Sequence, residues 1–124
     1  MRSFLNILDM ETGHEIRLAE FGFAASLPSF TEDGIVFRRD GRWWKICTDR
    51  GMIAPWDGEI PTAAHDLTLR FTSELSDGIG YCELVRCGQV LVRFMGSPDS
   101  IGSAPISPDG KKLVFFGYPN KEFG

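Results

Sequence analysis

Apolar positions along this chain come in short runs and not at helical spacing. Runs rich in Val, Ile, Leu, Phe and Trp are separated every few residues by Gly, Pro, Asp or Asn, and a period of 3.6 is nearly absent. Short apolar runs bounded by turn residues are typical of β-strands. The pattern therefore predicts an all-β chain, with strands at residues 4–9, 14–19, 35–39, 43–47, 52–56, 68–72, 80–85, 89–94 and 112–118.

The segments between these runs carry the residue types that tight turns require. They read METG, RDGR, TDRG, SDG, RCG and SPDG, and each of them contains a Gly. Gly adopts a positive φ at little cost, and an Asp side chain can bond the backbone of its own turn. We therefore interpret Asp33, Gly34, Asp109 and Gly110 as turn formers.

Two kinds of unit repeat along the chain. The first is a turn containing Pro or Ser and an Asp, followed by a strand that ends near Phe, at 28–37, 61–71 and 104–116. The second is a strand, a Gly-closed turn and another strand, whose turn glycines Gly13, Gly51 and Gly88 are 38 and 37 residues apart. A repeat of about 40 residues holding four strands is the spacing of β-propeller blades.

The stretch SPDGKKLVFF, residues 107–116, resembles the repeat of TolB-type, WD-like β-propellers, in which Ser-Pro-Asp-Gly opens the turn between the first two strands of a blade. The likeness is strong at 107–110, fair at 31–34 and weak at 64–67, where His-Asp-Leu replaces Pro-Asp-Gly. The resemblance extends over essentially the whole chain. It implies blades of four antiparallel strands.

The order of the units predicts a single domain, 1–124, of about three blades that starts and ends within a blade. A strand 3–4 hairpin at 4–19 precedes blades at 26–56 and 61–94, and a strand 1–2 hairpin lies at 104–118. Closed rings have about 4 to 8 blades. We therefore expect a half-propeller that homodimerises into six blades, with each composite blade closed by strands from both chains. The alternative is a truncated remnant of a longer six-bladed protein.

Charge and cysteine content narrow the classes of partner and compartment. The chain has 13 basic and 17 acidic residues, which argues against a nucleic-acid or anionic-membrane partner. Its three cysteines contain no Cys-x-x-Cys pair, so neither zinc nor a disulfide framework is indicated, and a reduced, cytoplasmic chain is expected. We expect neither a signal peptide nor a membrane span, because the first apolar run ends by Asp9.

Residues with the chemistry for catalysis or metal binding are few. The two histidines, His14 and His65, lie in or beside predicted turns, whereas oligogalacturonate lyases, which look similar at the repeat level, bind a metal through several histidines. GSPDS at 96–100 lacks the Gly-x-Ser-x-Gly arrangement, and no phosphate or dinucleotide loop occurs. We predict no catalytic, metal or cofactor-binding residues. The alternative is a metal-dependent lyase or hydrolase with its site in the dimer channel.

TolB-like rings bind protein segments or small ligands at the channel mouth, which strand 1 and the 2–3 and 4–1 loops line. The resemblance thus implies a non-enzymatic protein-interaction or ligand-binding module. Basic residues also bracket two tryptophans at 43–44, a pattern that suits an anion or a stacked base but also a simple solvated hairpin. The predicted mouth residues are Arg39, Asp40, Arg42, Trp43, Ser76, Asp77, Asn120 and Lys121.

Overall fold

The computed structural model describes residues 3–23, 25–31, 34–47, 52–58, 67–76 and 78–117. Within these ranges the regular structure is strand and a short 3₁₀ turn at Pro98–Ser100, so the predicted all-β class is confirmed. The strands are β1 (Ser3–Asp9), β2 (Glu15–Phe21), β3 (Ser26–Phe30), β4 (Ile35–Arg39), β5 (Arg42–Cys47), β6 (Met52–Pro55), β7 (Leu67–Ser76), β8 (Ile79–Arg86), β9 (Gln89–Gly96) and β10 (Lys112–Gly117).

These strands form three separate antiparallel sheets, none of them closed. The first, which we call the central sheet, has the order β10-β1-β2, and an isolated bridge from Ile106 to Leu113 extends it beside β10. The second has the order β3-β4-β5-β6, and the third β7-β8-β9. Each sheet is thus built from sequence neighbours, except where β10 joins β1.

The two ends of the described chain meet in the central sheet. Strands β1 and β10 pair antiparallel from Phe4 opposite Gly117 to Asp9 opposite Lys112. The predicted complementarity of the terminal hairpins therefore exists, but it is satisfied within one chain. The half-propeller hypothesis predicts that strands from two chains make this pairing.

Strand β3 was not among the predicted strands. Its sequence, SLPSF, contains Pro28 and two serines, which weaken a strand prediction. In the structure the pairing of β3 with β4 shifts register between Ser26 and Ser29, on either side of the proline. Pro28 therefore lies at a bulge, where the ladder does not require its missing N–H.

Two hairpins close with two-residue turns of the same conformation. The β4–β5 turn has Asp40 at φ 52° and Gly41 at φ 75°, and the β8–β9 turn has Cys87 at φ 52° and Gly88 at φ 79°. Two consecutive positive φ angles define a type I′ turn, whose twist matches that of the flanking strands. Asp-Gly is a preferred sequence for it, so the first hairpin is specified locally.

The other turn residues are held by their own side chains. The Asp109 carboxylate accepts hydrogen bonds from the Ser107 hydroxyl and the Lys111 N–H, which lower the pKa of Asp109, and Gly110 has φ 77°. The Gly34 N–H donates to Thr31 Oγ1 at 3.1 Å. Asp33 lies outside the described residues.

The central sheet is buried on both faces along β10, whereas most of β2 is exposed or half-buried. Consecutive strand residues point to opposite faces. The ring centre of Phe116 therefore lies 5.9 Å from that of Phe37 in the second sheet, and the ring centre of Phe115 lies 4.6 Å from that of Phe94 in the third. One buried cluster contains Leu5, Phe21, Ala25, Ile35, Phe37, Ile46, Val114 and Phe116. The other contains Leu8, Leu84, Val92, Ile106, Leu113 and Phe115.

Candidate functional site

A tight turn brings together three of the predicted mouth residues. Arg39 ends β4, Asp40 opens the turn, and Arg42 begins β5 opposite Arg39. The Asp40 carboxylate lies 3.5 Å from Arg39 Nε, but the Asp40 side chain is 85% exposed. Exposed ion pairs of this kind contribute little to stability, so this carboxylate is only loosely held.

The other predicted mouth residues are placed less completely. Trp43 follows Arg42 in β5, and Ser76 ends β7. The side chain of Ser76, and Asp77, Asn120 and Lys121 altogether, lie outside the described residues.

A cleft of about 290 Å³ opens beside the β4–β5 turn. Three segments that are distant in sequence line it: the start of β3, the β4–β5 turn itself and the loop that follows β9. Arg39 and Asp40 of the predicted mouth line this cleft, whereas Arg42 and Trp43 do not. The lining residues are Ala25, Ser26, Arg38, Arg39, Asp40, Gly41, Ser97 and Asp99. We call this site the turn cleft.

Sequence reasoning missed Ser26, Ser97 and Asp99, and it noted Arg38 only as one of the basic residues that bracket the two tryptophans. In the sequence, GSPDS at 96–100 suggests only a comparison with the Gly-x-Ser-x-Gly hydrolase motif, which it does not match. The resemblance places 4–1 loops at the mouth of the channel. The loop after the predicted 61–94 blade is such a loop, so the resemblance did contain a signal for Ser97 and Asp99. The approach of this loop to the β4–β5 turn depends on how the sheets pack, and the sequence pattern does not describe that packing.

The guanidinium groups on one wall of the turn cleft are held against aromatic rings. Arg39 Cζ lies 3.7 Å from the ring centre of Phe23 and 6.0 Å from that of Trp44. Arg38 Cζ lies 5.7 Å from the ring centre of Trp43, and Arg38 Nη2 donates to the Gly41 carbonyl at 3.3 Å. Cation–π contacts fix the direction of an arginine while leaving N–H groups at its edge.

The two adjacent tryptophans differ in how their indole N–H groups are satisfied. Trp44 Nε1 donates to the Arg39 carbonyl at 3.4 Å. Trp43 Nε1 is buried with no hydrogen-bond partner in the described part of the chain, and its ring meets Trp56 edge-on at 6.4 Å. A buried donor without an acceptor costs about 1–3 kcal/mol.

A second wall of the turn cleft is formed by a capped 3₁₀ turn. Ser97 Oγ accepts from the Asp99 N–H at 3.3 Å, and the Ser97 N–H donates to Ser100 Oγ at 3.0 Å. Ser100 is buried, whereas Asp99 is exposed. Among the described residues no hydrogen bond or ion pair reaches the Asp99 carboxylate, so this wall carries a negative charge held by a defined backbone.

A residue with a strained backbone conformation lies next to Ser26 of the turn cleft. Leu27, next to Ser26, has φ 53°, a conformation that is unfavourable for a residue other than glycine. The neighbouring segment fits closely, because the Gly102 N–H donates to the Pro28 carbonyl at 3.2 Å. A Cβ at Gly102 would lie 2.2 Å from Ser29 Oγ. Such strain persists only where surrounding contacts enforce it.

The titratable groups with shifted pKa values outside the turns lie on β8. Glu83 accepts from Arg93 Nε at 2.7 Å and contacts Arg70 Nη2 at 3.0 Å. The Arg93 hydrogen bond, with the charge of Arg70, lowers the pKa of Glu83. Burial raises the pKa of the Cys82 thiol to about 11. Glu83 thus forms cross-strand ion pairs with Arg70 and Arg93 on the third sheet.

No group of three or more His, Cys, Asp or Glu side chains within the described residues is arranged to hold a metal ion. His14 is exposed beside the β1–β2 turn, and His65 lies outside the described residues.

None of the described segments forms a helix long and apolar enough to cross a membrane. A scan against protein-family models and searches of curated proteins and of solved structures all find no match to this chain.

Proposed function

We propose that this chain is a non-enzymatic, propeller-type binding module and that the turn cleft is its ligand site. The observation that carries the proposal is the convergence of the β3 start, the β4–β5 turn and the loop after β9 on one polar cleft. Binding residues are commonly carried by loops on a rigid scaffold. Here the scaffold is a set of sheets packed on two apolar clusters.

The chemistry of the lining supports binding in preference to catalysis. The cleft is lined by arginine, aspartate, serine and small residues, and neither histidine nor cysteine occurs among its described lining residues. Its serines bond backbone groups or line the wall, and no base lies against them in the described hydrogen bonds. A nucleophilic mechanism requires a base within reach of its nucleophile.

The propeller assignment and the assembly belong to the same proposal. The second sheet has four strands, the central sheet has three plus the Ile106 bridge, and the third sheet has three. Two of the three sheets are thus consistent with four-stranded blades. The two outer sheets each pack on the central sheet through one face, and repeat arrays need neighbours to cover their free faces. We propose that two copies complete a six-bladed ring by exchanging terminal hairpins, so that the β1–β10 pairing forms between chains.

The proposed compartment is the reducing cytoplasm. Cys82 is a buried free thiol and Cys87 an exposed one. An exposed free thiol is stable in a reducing environment. Mass spectrometry of the chain purified from its own cells without reductant tests this, and a disulfide at Cys87 would contradict it.

Ligand binding is tested by titrating the ¹⁵N-labelled chain with a library of small polar fragments and following its amide spectrum. We expect saturable shifts at the amides of Ser26, Gly41 and Asp99, with the amides of Gly13 and Gly110 unmoved as internal controls. Saturable shifts confined to another surface, or none from the whole library, would contradict the turn cleft as the binding site.

A further inference from the structure

The two walls of the turn cleft carry opposite charges. Arg38 and Arg39 line the β4–β5 side of the cleft, and Asp99 lines the side formed by the loop after β9. Asp40 adds a second carboxylate next to Arg39. The cleft thus has a cationic wall, Arg38 and Arg39, and an anionic wall, Asp99. Its volume of about 290 Å³ is near the lower end of the volumes of small-molecule sites.

The cationic wall suits a carboxylate. Arginine presents its N–H groups in a planar fork that matches the two oxygens of a carboxylate. Arg39 is already oriented by Phe23 at 3.7 Å, so less side-chain freedom is lost when a ligand binds. Its present partner, Asp40, is 85% exposed and 3.5 Å away, and a ligand carboxylate can displace it at little cost.

The anionic wall selects against a doubly charged anion. A phosphate dianion on Arg39 would lie near the carboxylates of Asp40 and Asp99, and like charges repel strongly in a partly desolvated site. A ligand that also carries a positive charge gains an attractive contact with Asp99 instead. Asp99 is available for this contact because nothing in the described chain pairs with its carboxylate.

We propose that the turn cleft binds a small zwitterionic ligand of amino-acid or dipeptide size. Its carboxylate binds the Arg38 and Arg39 guanidinium groups, and its ammonium group binds the Asp99 carboxylate. The inference rests on the proposed function, because it assigns a ligand class to the same cleft.

The test compares probes that carry both charges with probes that carry one. The ¹⁵N-labelled full chain is titrated with glycylglycine and glycine as zwitterions, and with acetate, ethylamine and inorganic phosphate as single-charge probes. We expect glycylglycine or glycine to bind at least about tenfold more tightly than acetate or ethylamine, the ratio that a second charged contact supplies. Phosphate is expected to bind no better than acetate.

Variants separate the two walls. Asp99→Asn is expected to reduce zwitterion affinity about tenfold, to the level of acetate, while acetate affinity stays the same or rises. Arg39→Gln is expected to weaken the binding of both the zwitterion and acetate. Arg39→Lys keeps the positive charge but removes the planar fork of N–H groups, and it is expected to weaken the binding of both probes by less. Arg86→Gln and Asp57→Asn, exposed and outside the cleft, remove matched charges and are expected to leave both affinities unchanged. The amide spectrum of each variant reports whether it is folded.

The outcomes distinguish this inference from the proposed function. Zwitterions binding no better than acetate, phosphate binding most tightly, or an Asp99→Asn variant with unchanged zwitterion affinity would overturn the ligand class. The proposed function survives those results if the shifts still map to the turn cleft. If neither these probes nor the fragment library perturbs the cleft amides, both are wrong.

Discussion

At the scale of single residues, Cys82 and Cys87 lie in the same hairpin but differ in burial. Cys82 is fully buried, and burial raises the pKa of its thiol to about 11. Cys87 is exposed in the β8–β9 turn. The thiolate is the form of cysteine that attacks alkylating reagents, so both burial and the raised pKa protect Cys82 at neutral pH.

We therefore expect native protein at pH 7.5 to be alkylated by iodoacetamide at Cys87 and not at Cys82 within the same period. Peptide mass spectrometry assigns each site separately. Repeating the reaction in denaturant supplies the control, since Cys82 should then react like Cys87. Rapid native labelling of Cys82 would show that β8 does not pack as described.

Glu83 is the residue whose ionisation is most directly tied to structure. Its pKa is lowered in the folded chain by the Arg93 hydrogen bond and by the nearby Arg70. A group with a lowered folded pKa stabilises the protein above its unfolded pKa, about 4.3 for Glu, and this contribution is lost as pH falls through the folded value.

The prediction for Glu83→Gln is a lower melting temperature than the natural chain at pH 7 and a difference that shrinks to nothing at strongly acidic pH. Thermal melts followed by circular dichroism between pH 7 and pH 2.5 measure it. Glu15→Gln, at an exposed position of β2, is the matched control with no such trend. A difference that is independent of pH would contradict the ion-pair account.

Residue-scale sequence reasoning succeeded where the requirement was local. Asp-Gly at 40–41 specifies a type I′ turn through positive φ, and this can be read without tertiary structure. The cleft residues Ser97 and Asp99 acquire their role only when the loop after β9 meets the β4–β5 turn. That meeting depends on long-range packing, which the sequence pattern does not encode.

At the scale of elements, β3 is held by a close approach that only glycine permits. Alongside the Gly102–Pro28 hydrogen bond, the Phe30 N–H donates to the Ala104 carbonyl at 2.7 Å. A Cβ at Gly102 would lie 2.6 Å from the Pro28 carbonyl oxygen and 2.7 Å from that of Leu27. Backbone atoms cannot yield as a flexible side chain can.

Gly102→Ala is therefore expected to destabilise the fold by about 1–3 kcal/mol, the usual range for overpacking. Chemical denaturation measures the change. Gly22→Ala is the matched control, because nothing lies within 4 Å of a Cβ there, and it should be near neutral. Equal stability of the two variants would refute the close packing of 102–104 on β3.

Among the elements, strands with an uninterrupted apolar pattern were the predictable ones. The prediction of 35–39 coincides with β4, because Ile-Val-Phe lies between two turn sequences. Strand β3 was not predicted, because Pro28 interrupts the pattern that is typical of a strand. The bulge that accommodates Pro28 is defined only by the pairing of β3 with β4.

At the scale of the whole molecule, β10 connects both halves of the core. Phe115 and Phe116 are each fully buried and belong to different clusters. Sequence could indicate that the terminal hairpins complement each other, because each supplies half of a blade-like unit. It could not decide whether one chain or two would pair them, since both arrangements make the same β1–β10 contacts.

Phe115→Ala and Phe116→Ala are each expected to cost about 3–5 kcal/mol, a large part of the 5–15 kcal/mol typical of a folded domain. Urea unfolding followed by tryptophan fluorescence measures both. Phe71→Ala, at a position 36% exposed, serves as the control and should cost much less. If only one of the two buried phenylalanines mattered, the central sheet would be packed on one face alone.

The central proposal is that two copies exchange their terminal hairpins, pair β1 of one chain with β10 of the other, and so complete a six-bladed ring. Light scattering behind a sizing column measures this most directly. The account predicts a single species near twice 13.8 kDa, with the same mass at tenfold lower concentration. A uniform species of 13.8 kDa would contradict it and show that the β1–β10 pairing is completed within each chain.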